Sequence, residues 1–224
     1  MTNILDNITW YTLAGPHAKF AAGVGDVRRY TFGFSPIVGF ADTERPSFGL
    51  LARFCQPGEH FYCENWKGTA PAGWKVEVES TMFKMIWRGA TPDDEVPEAV
   101  LLGQKHASMA LDLATRTQPG PFGPRTVELG DYFGIFDGPR LVAMAGERMQ
   151  AGNFHEISGV CTDPAFRGRG LARKLVNKII RRQLSRGETP FLHVMHGNTG
   201  ARRLYEEMGF ANHREVVVRV ISPS

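Results

Sequence analysis

The stretch that decides the fold is Val160-Cys161-Thr162-Asp163-Pro164-Ala165-Phe166-Arg167-Gly168-Arg169-Gly170-Leu171-Ala172. It predicts a strand that ends near Thr162, a short turn, and a glycine-rich loop that opens a helix. Glycines let a backbone approach a ligand closely, and the first amides of a helix have no partner inside the helix. Because a helix N-terminus also carries about half a unit of positive charge, the segment predicts a site for a phosphate or pyrophosphate. Arg167 and Arg169 add charge to this predicted site.

The helix predicted from Leu171 to Leu184 is amphipathic. Its apolar stripe consists of Leu171, Ala172, Leu175, Val176 and Ile179. Its basic side consists of Arg173, Lys174, Lys178 and Arg181. A helix with one apolar stripe packs on a core through that stripe. Gly187 is a suitable residue to end the helix, because glycine is favoured just after a helix C-terminus. We therefore expect the helix to pack on a sheet while its N-terminus stays open to a ligand.

The glycine motif alone has other interpretations. A lone Gly-x-Gly before a helix is more often a simple turn than a phosphate site. No Gly-Lys-Ser/Thr follows, which excludes a P-loop, and Arg-Gly-Arg-Gly-Leu-Ala lacks the third glycine of the dinucleotide fingerprint. Arg-Gly runs also occur in disordered nucleic-acid-binding tails, but this one continues into an amphipathic helix.

A second motif follows, Asn198-x-x-Ala201-x-x-Leu204-Tyr205-x-x-x-Gly209-Phe210. Together with Arg167-x-x-Gly170-x-Ala172 it resembles the signatures of the GNAT superfamily of N-acetyltransferases, whose first motif binds the pyrophosphate of acyl-CoA. The two motifs cover about residues 154–210. The position of the first 90 residues is similar to that in glycine N-acyltransferase-like members, which carry a second, degenerate GNAT-like half.

The resemblance implies an α/β fold with a mixed, mostly antiparallel sheet and splayed central strands, plus a smaller α/β N-terminal GNAT-like half. The splayed strands would be Glu156–Thr162 and Phe191–Met195, with the pantetheine of acetyl-CoA between them. Gly159 suits the bulge that starts the splay, although a close packing contact explains a strand glycine nearly as well. The implied cofactor-binding residues are Val160, Cys161, Thr162, Arg167, Gly168, Arg169, Gly170, Leu171, Ala172, Asn198, Ala201 and Tyr205.

The implied chemistry is direct acyl transfer from acetyl-CoA to an amine. An amide of the strand, at Val160 or a neighbour, would stabilise the oxyanion. Tyr205 is the expected general acid toward the departing sulfur, and its alternative role is that of a core residue. Asn198 is expected either to cap its helix or to contact the coenzyme, and both can be true.

The general base is less defined by the sequence. Glu156 is the candidate catalytic base, acting directly or through water, and its alternative role is a solvated or ion-paired strand residue. His193 and His196 flank the second splayed strand and are also candidates. No dedicated base is required if the amine arrives unprotonated. Cys161 has no activating neighbour in the sequence, so we expect a strand residue rather than a nucleophile.

The organisation of the rest of the chain rests on composition and periodicity. All four tryptophans lie before residue 91, and the polar segment Ala90–Glu95 predicts a linker between an aromatic-rich domain, 1–90, and an acetyltransferase domain, 91–224. The elements expected around it are a small helix after Pro16, strands at Val27–Phe34, His60–Cys63 and Trp74–Trp87, helices at Pro46–Phe54 and Ala99–Thr115, a proline-rich loop at Pro119–Pro124, a hairpin of Tyr132–Phe136 and Leu141–Met149 turning at Asp137-Gly138, a helix at Ala201–Met208 and a last strand at Arg214–Ile221.

One departure from the GNAT pattern concerns the end of the sheet. GNAT domains usually finish with a pair of strands, whereas this chain has room for a single long strand after Phe210. We expect a strand from the first 90 residues, or from a second subunit, to complete the sheet. The acceptor would enter from the opposite side of the cleft, past the helix at Ala99–Thr115, the proline-rich loop and the aromatic N-terminal part.

Composition limits the other function classes. The net charge of +3 is too small to argue for nucleic-acid binding, and no apolar run approaches the roughly 18 residues of a membrane span. The first ten residues do not have the pattern of a signal peptide, and three cysteines without a CxxC favour a reducing compartment, so we expect a cytoplasmic protein. No metal, nucleic-acid or membrane partner is expected, and a homodimer is possible.

The leading hypothesis is an N-acyltransferase that acetylates a small amine, an amino acid or a peptide N-terminus. The first alternative is a regulatory module that binds acyl-CoA without turnover. The second is an RNA- or DNA-associated protein that uses the basic helix, which predicts salt-sensitive binding.

Overall fold

The computed structural model describes residues 4–92 and 96–224. The helices are α1 (Ile8–Ala14), α2 (Phe48–Leu51), α3 (Ala107–Thr117), α4 (Leu171–Ser185) and α5 (Thr199–Met208). The strands are β1 (Ala21–Ala22), β2 (Val27–Tyr30), β3 (Val38–Phe40), β4 (Phe61–Glu64), β5 (Trp74–Trp87), β6 (Val100–Leu102), β7 (Tyr132–Asp137), β8 (Arg140–Ala151), β9 (Phe154–Thr162), β10 (Thr189–Met195) and β11 (Phe210–Pro223). Short 3-10 segments join several of them.

An eight-stranded sheet forms the centre of the fold. Its strand order is β4-β11-β5-β10-β9-β8-β7-β6. Strands β9 and β10 run parallel, and the other neighbouring pairs of this sheet run antiparallel. The parallel pair follows from the connection through α4, because parallel neighbours need a crossover. A mixed, mostly antiparallel α/β sheet is confirmed.

The N-terminal part of the chain completes this sheet. Strand β5 lies between β10 and β11 and pairs with both, and β4 covers the other side of β11. The expectation that a strand from the first 90 residues closes the sheet is therefore confirmed. The predicted boundary at Ala90 falls between strands of one sheet, and the division into 1–90 and 91–224 stays a prediction. Residues 93–95 of the predicted linker lie outside the described residues.

The two faces of the sheet carry different helices. On β7, the side chains of Phe133 and Ile135 pack with the apolar stripe of α4, as the alternation of a strand requires. Tyr132, on the opposite face, packs with α3. A small three-stranded sheet, β1-β2-β3, belongs to the N-terminal part, and α1 packs close to it and to β8.

Several sequence expectations need correction. The sequence predicts a single helix over Ala99–Thr115, but the segment forms the short edge strand β6, a 3-10 turn and then α3. The extended backbone at Gly103 separates the apolar run Val100–Leu102 from the helix. The segment Pro46–Phe54 forms one helical turn followed by a 3-10 segment rather than a full helix. The hairpin turn comprises Gly138 and Pro139, since Asp137 still pairs with Arg140. The long strand Trp74–Trp87 is confirmed at both ends.

Candidate active site

A fork opens in the middle of the sheet. The ladder between β9 and β10 ends at Ile157 and Leu192, and both strands continue without pairing to each other. The register between β8 and β9 shifts at this point, and Gly159 has a φ of 62°, a left-handed value that favours glycine. The predicted splay and its bulge at Gly159 are therefore present. From Ser158 to Thr162, β9 has no ladder partner on the β10 side.

The glycine-rich loop lies directly after β9. Gly168 and Gly170 have φ values of 77° and 72°, and a Cβ built on either would meet no atom within 4 Å. The Arg167 amide donates to the Pro164 carbonyl, 3.4 Å away. Among the described residues, no hydrogen bond uses the backbone N–H groups of residues 168–173, and the first amide bonded in α4 is that of Lys174. A row of free donors thus faces open space at the N-terminus of a fifteen-residue helix.

Asp163 holds the start of this loop. Its carboxylate accepts hydrogen bonds from the guanidinium groups of Arg116 and Arg140 and from the Ala165 amide. The hydrogen bond from Arg116, outweighing the effect of burial, lowers the pKa of Asp163. The loop is therefore anchored to α3 and to the β7–β8 hairpin while its amides stay open.

Tyr205 lies on α5 in the core cluster beside α4. Burial, with a smaller contribution from Cys161, raises the pKa of Tyr205 to about 12. The phenol therefore keeps its proton at neutral pH. Within residues 4–92 and 96–224 no group forms a hydrogen bond with its hydroxyl, so the proton is not engaged by the protein.

Asn198 is the N-cap of α5. Its side-chain oxygen accepts from the Ala201 amide at 3.2 Å. The cap interpretation is confirmed, and a contact with the coenzyme stays a prediction. At the end of β9, Val160 packs toward α4, Cys161 packs toward α3, and the Thr162 hydroxyl is buried without a hydrogen-bond partner in the described chain. Burial raises the pKa of Cys161 to about 11, so this residue is a neutral thiol.

Glu156 lies at the apex of the fork and is 1% exposed. Both of its oxygens accept hydrogen bonds from Arg148, Nε to Oε2 at 3.0 Å and Nη2 to Oε1 at 2.7 Å. The Nδ1 atom of His193 lies 2.7 Å from Oε1. Burial alone would raise the pKa of Glu156, but the positive charge of Arg148 and the His193 hydrogen bond outweigh it and lower the pKa to about 2. The ion-paired alternative from the sequence is the observed arrangement.

The charged network continues toward the N-terminal part. The Nε2 atom of His193 lies 3.7 Å from Oε2 of Glu64, and Lys84 Nζ lies 2.9 Å from the same oxygen. Thr9 donates to the other Glu64 oxygen at 2.7 Å. Lys84, which has no solvent exposure, also donates to the Leu5 carbonyl. Two buried ion pairs, Arg148–Glu156 and Lys84–Glu64, therefore lie on either side of His193.

The chain is similar to known acetyltransferases. A model of the FR47-like protein family matches residues 132–220. The chain is 31% identical over 114 residues to the "N-alpha-acetyltransferase RimI" of Mycobacterium tuberculosis, covering 48% of this chain and 71% of that protein. It is 40% identical over 55 residues to the "[Ribosomal protein bS18]-alanine N-acetyltransferase" of Haemophilus ducreyi, covering 24% of this chain and 38% of that protein.

Solved structures agree with these relatives. A crystal structure assigned to the GNAT family, from Novosphingobium aromaticivorans, superposes with a TM-score of 0.90 at 34% identity and covers 100% of both chains. The chain is a GNAT N-acetyltransferase. A GCN5-related N-acetyltransferase from Kribbella flavida, at 17% identity and a TM-score of 0.65, covers 100% of this chain and 97% of its own and shares the fold.

Sequence reasoning missed the partners of Glu156 in this GNAT protein. Lys84 is the charged residue of the otherwise apolar segment Phe83–Trp87. Arg148, beside Glu147, follows the apolar run Leu141–Ala145, and such placement is the available signal. The partner of each depends on strand order and on the β8–β9 register shift, which no local pattern gives. His196, the second candidate histidine, lies away from this network and contacts Glu215 at the surface.

One group of possible metal ligands occurs in the described part of this GNAT protein. Ligand atoms of Glu147, His155 and Glu188 lie within 4.8 Å of one another. Both carboxylates already bind Arg186, and Gln183 donates to Glu147. A cation at this position would compete with that arginine. Across the residues that are described, no helix has the length and apolar character needed to cross a bilayer.

Proposed function

We propose that this GNAT protein transfers an acetyl group from acetyl-CoA to a primary amine by direct attack. The observation that carries the proposal is the row of free amides from Gly168 to Arg173 at the N-terminus of α4, beside the fork. Free amides and the positive end of a helix are suited to a diphosphate. Gly168 and Gly170 keep the approach clear, and the exposed Arg167 and Arg169 supply positive charge.

The pantetheine arm is proposed to occupy the fork. The β10-facing edge of β9 from Val160 to Thr162 has no ladder partner, so its amides and carbonyls are suited to bind an extended chain like an added strand. Leu171, Ala172, Asn198 and Ala201 flank the same opening from the starts of α4 and α5 and complete the proposed coenzyme site.

The proposed reaction needs one oxyanion site and one acid. The lone pair of the neutral amine attacks the thioester carbonyl carbon, and an amide at Val160 or a neighbour stabilises the oxyanion that forms. When the carbon–sulfur bond breaks, the sulfur takes the electron pair and Tyr205 supplies the proton. The buried phenol keeps its proton at neutral pH, so it is available to protonate the departing sulfur. The extra proton of the product amide leaves to solvent, and Tyr205 regains its proton from solvent.

Glu156 enters the proposal as a buried anion at the fork. A carboxylate with a pKa near 2 binds a proton poorly at neutral pH. Its Oε1 lies 2.7 Å from His193 Nδ1, so this contact holds the imidazole ring at the fork. We assign Glu156 the role of positioning His193 through this contact.

The acceptor is proposed to be a peptide N-terminus, with a small amine or amino acid as the alternative. One curated relative is named an N-alpha-acetyltransferase, and the other is named an alanine N-acetyltransferase of a ribosomal protein. A cavity of about 230 Å³ lies on the N-terminal side, lined by aromatic residues and by Pro124 of the proline-rich loop. Tyr30 lines this cavity, and its hydroxyl is hydrogen-bonded to His17. We propose that the acceptor enters from this side.

Two matched glycine variants test the coenzyme site. Gly170 and Gly187 stand at opposite ends of α4, with φ values of 72° and 73° and no atom within 4 Å of a built Cβ. Gly170→Ala and Gly187→Ala should therefore destabilise the fold equally, by about 1 kcal/mol. We expect Gly170→Ala alone to weaken CoA binding in calorimetry, by at least about tenfold, because its methyl group stands among the free amides.

Turnover is measured as thiol release over a panel of peptides and small amines. Equal CoA affinity in both glycine variants would contradict the proposed coenzyme site. CoA binding without turnover on any amine would support the regulatory module instead. Salt-sensitive nucleic-acid binding that excess CoA does not abolish would support the third hypothesis. A cytoplasmic location and a homodimer stay predictions.

A further inference from the structure

The side of the bulge that faces α3 is closed by two aromatic rings. A Cβ built on Gly159 would lie 3.0 Å from Cε1 of Tyr132, 3.4 Å from Cε2 of Phe122 and 3.6 Å from the Tyr132 hydroxyl. The two rings meet edge to face with centroids 5.8 Å apart. There is therefore no room beyond Gly159 on this face for more than a very small group.

The placement of the coenzyme loop directs the acyl group toward these rings. The free amides belong to α4, which packs on one face of the sheet, whereas Tyr132 belongs to the cluster around α3 on the other face. In the proposed function, a thioester arm that starts at the α4 N-terminus would enter the fork with its acyl end toward the opposite face. On that face, Tyr132 and Phe122 are the side chains nearest the bulge at Gly159.

The rings are held in place rather than free to withdraw. The Tyr132 ring lies so close to β8 that a Cβ on Gly146 would be 2.2 Å from it, and the side chain has no solvent exposure. Phe122 follows Pro121, whose carbonyl accepts a 2.8 Å hydrogen bond from the Ser35 hydroxyl. Well-packed interiors of this kind resist even one added methylene.

We propose that Tyr132 and Phe122 form the end wall of the acyl pocket and restrict the donor to an acetyl group. This inference rests on the proposed function, since it assigns the acyl specificity of the same site. It adds two specificity-determining residues that neither the glycine motif nor the Asn198–Phe210 motif contains. One is on β7, and the other is in the proline-rich loop.

The test compares acetyl-CoA with propionyl-CoA as donors for one accepted amine. For the wild type, one extra methylene should lower kcat/KM by roughly 10- to 200-fold. In Phe122→Ala this discrimination should fall by at least about tenfold, because the shortened side chain opens the wall. One control should keep the wild-type ratio. Phe136→Ala shortens a partly buried aromatic residue of the same α3-side cluster that is not among the atoms nearest Gly159.

Binding of the two thioesters without amine, measured by calorimetry, gives a second readout. If Phe122→Ala does not fold, Phe122→Leu and the binding ratio replace it. Unchanged discrimination in the folded Phe122 variant, or equal use of both donors by the wild type, would overturn the end wall. A wild type that neither binds nor uses acetyl-CoA would instead refute the proposed function, so the two failures are distinguishable.

Discussion

The buried ion pair of Glu156 and Arg148 gives the sharpest test of the energetics, through the variant Glu156→Gln. A lowering of the Glu156 pKa from 4.5 to about 2 corresponds to about 3 kcal/mol of folding free energy. Removing one partner of a buried pair also leaves Arg148 uncompensated, and such losses are typically about 3–5 kcal/mol. At neutral pH we therefore expect Glu156→Gln to lose about 3 kcal/mol, or roughly 6–12 °C in Tm for a chain of this size.

The pH dependence has a definite sign. Because the folded-state pKa is depressed, the stabilisation is fully present above pH 4.5 and is lost as the pH falls from 4.5 toward about 2. The difference in free energy of unfolding between the wild type and Glu156→Gln should therefore be constant from pH 7 to pH 5 and become smaller toward pH 3. Urea unfolding followed by tryptophan fluorescence measures it at each pH.

A matched control lies at the surface of the same protein. Glu215 contacts His196 Nδ1 at 2.7 Å, the same pair of groups at the same distance as Glu156 and His193, but in solvent. Glu215→Gln should leave stability unchanged, because exposed pairs are screened. The assignment of a stabilising buried carboxylate would be wrong in either of two cases. Glu156→Gln could have the same free energy of unfolding as the wild type at pH 7, or the difference between the two could stay constant down to pH 3.

Two further variants test other parts of the site. Lys84→Met leaves Glu64 buried without its cation and should lower the free energy of unfolding in urea by about 3–5 kcal/mol. Lys75→Met, at an exposed pair on the same strand, should change it by less than about 0.5 kcal/mol. Equal losses in the two variants would contradict the burial argument. Tyr205→Phe should lower kcat by about 100-fold while the Kd of acetyl-CoA changes little, because the acid acts on the leaving thiolate. With a pKa near 12, the wild type should show no loss of acid function up to about pH 10 in rate profiles, and an equal kcat in Tyr205→Phe would remove the residue from the mechanism.

The parts of the site that were predictable from the sequence are local in the chain. The strand, loop and helix from Glu156 to Leu184 form because their signals lie next to each other, namely an apolar strand, glycines with positive φ, and an amphipathic stripe. The cap at Asn198 is likewise set by a residue three positions away. Such contacts need no knowledge of the rest of the fold.

The parts that were not predictable depend on distant residues or on weak local signals. Val100–Leu102 is a short apolar run that fits a strand or a buried helix equally well. Its pairing with β7 determines that it is a strand. Helix α1, Ile-Thr-Trp-Tyr-Thr-Leu-Ala, is rich in β-branched and aromatic residues with low helix propensity, and burial against β8 stabilises it. The environment of Glu156 depends on Arg148, eight residues away across an irregular hairpin.

The same network links the N-terminal part of the chain to the chemistry. The FR47-like match, residues 132–220, contains the Arg167–Ala172 and Asn198–Phe210 motifs but not β5, which separates β10 from β11. Without β5, the far edge of β10 would lose its partner, and His193 would lose the Glu64–Lys84 pair behind it. Glu156 would then be hydrogen-bonded to an imidazole whose other nitrogen faces solvent. The position of His193 therefore depends on residues that lie outside the FR47-like match.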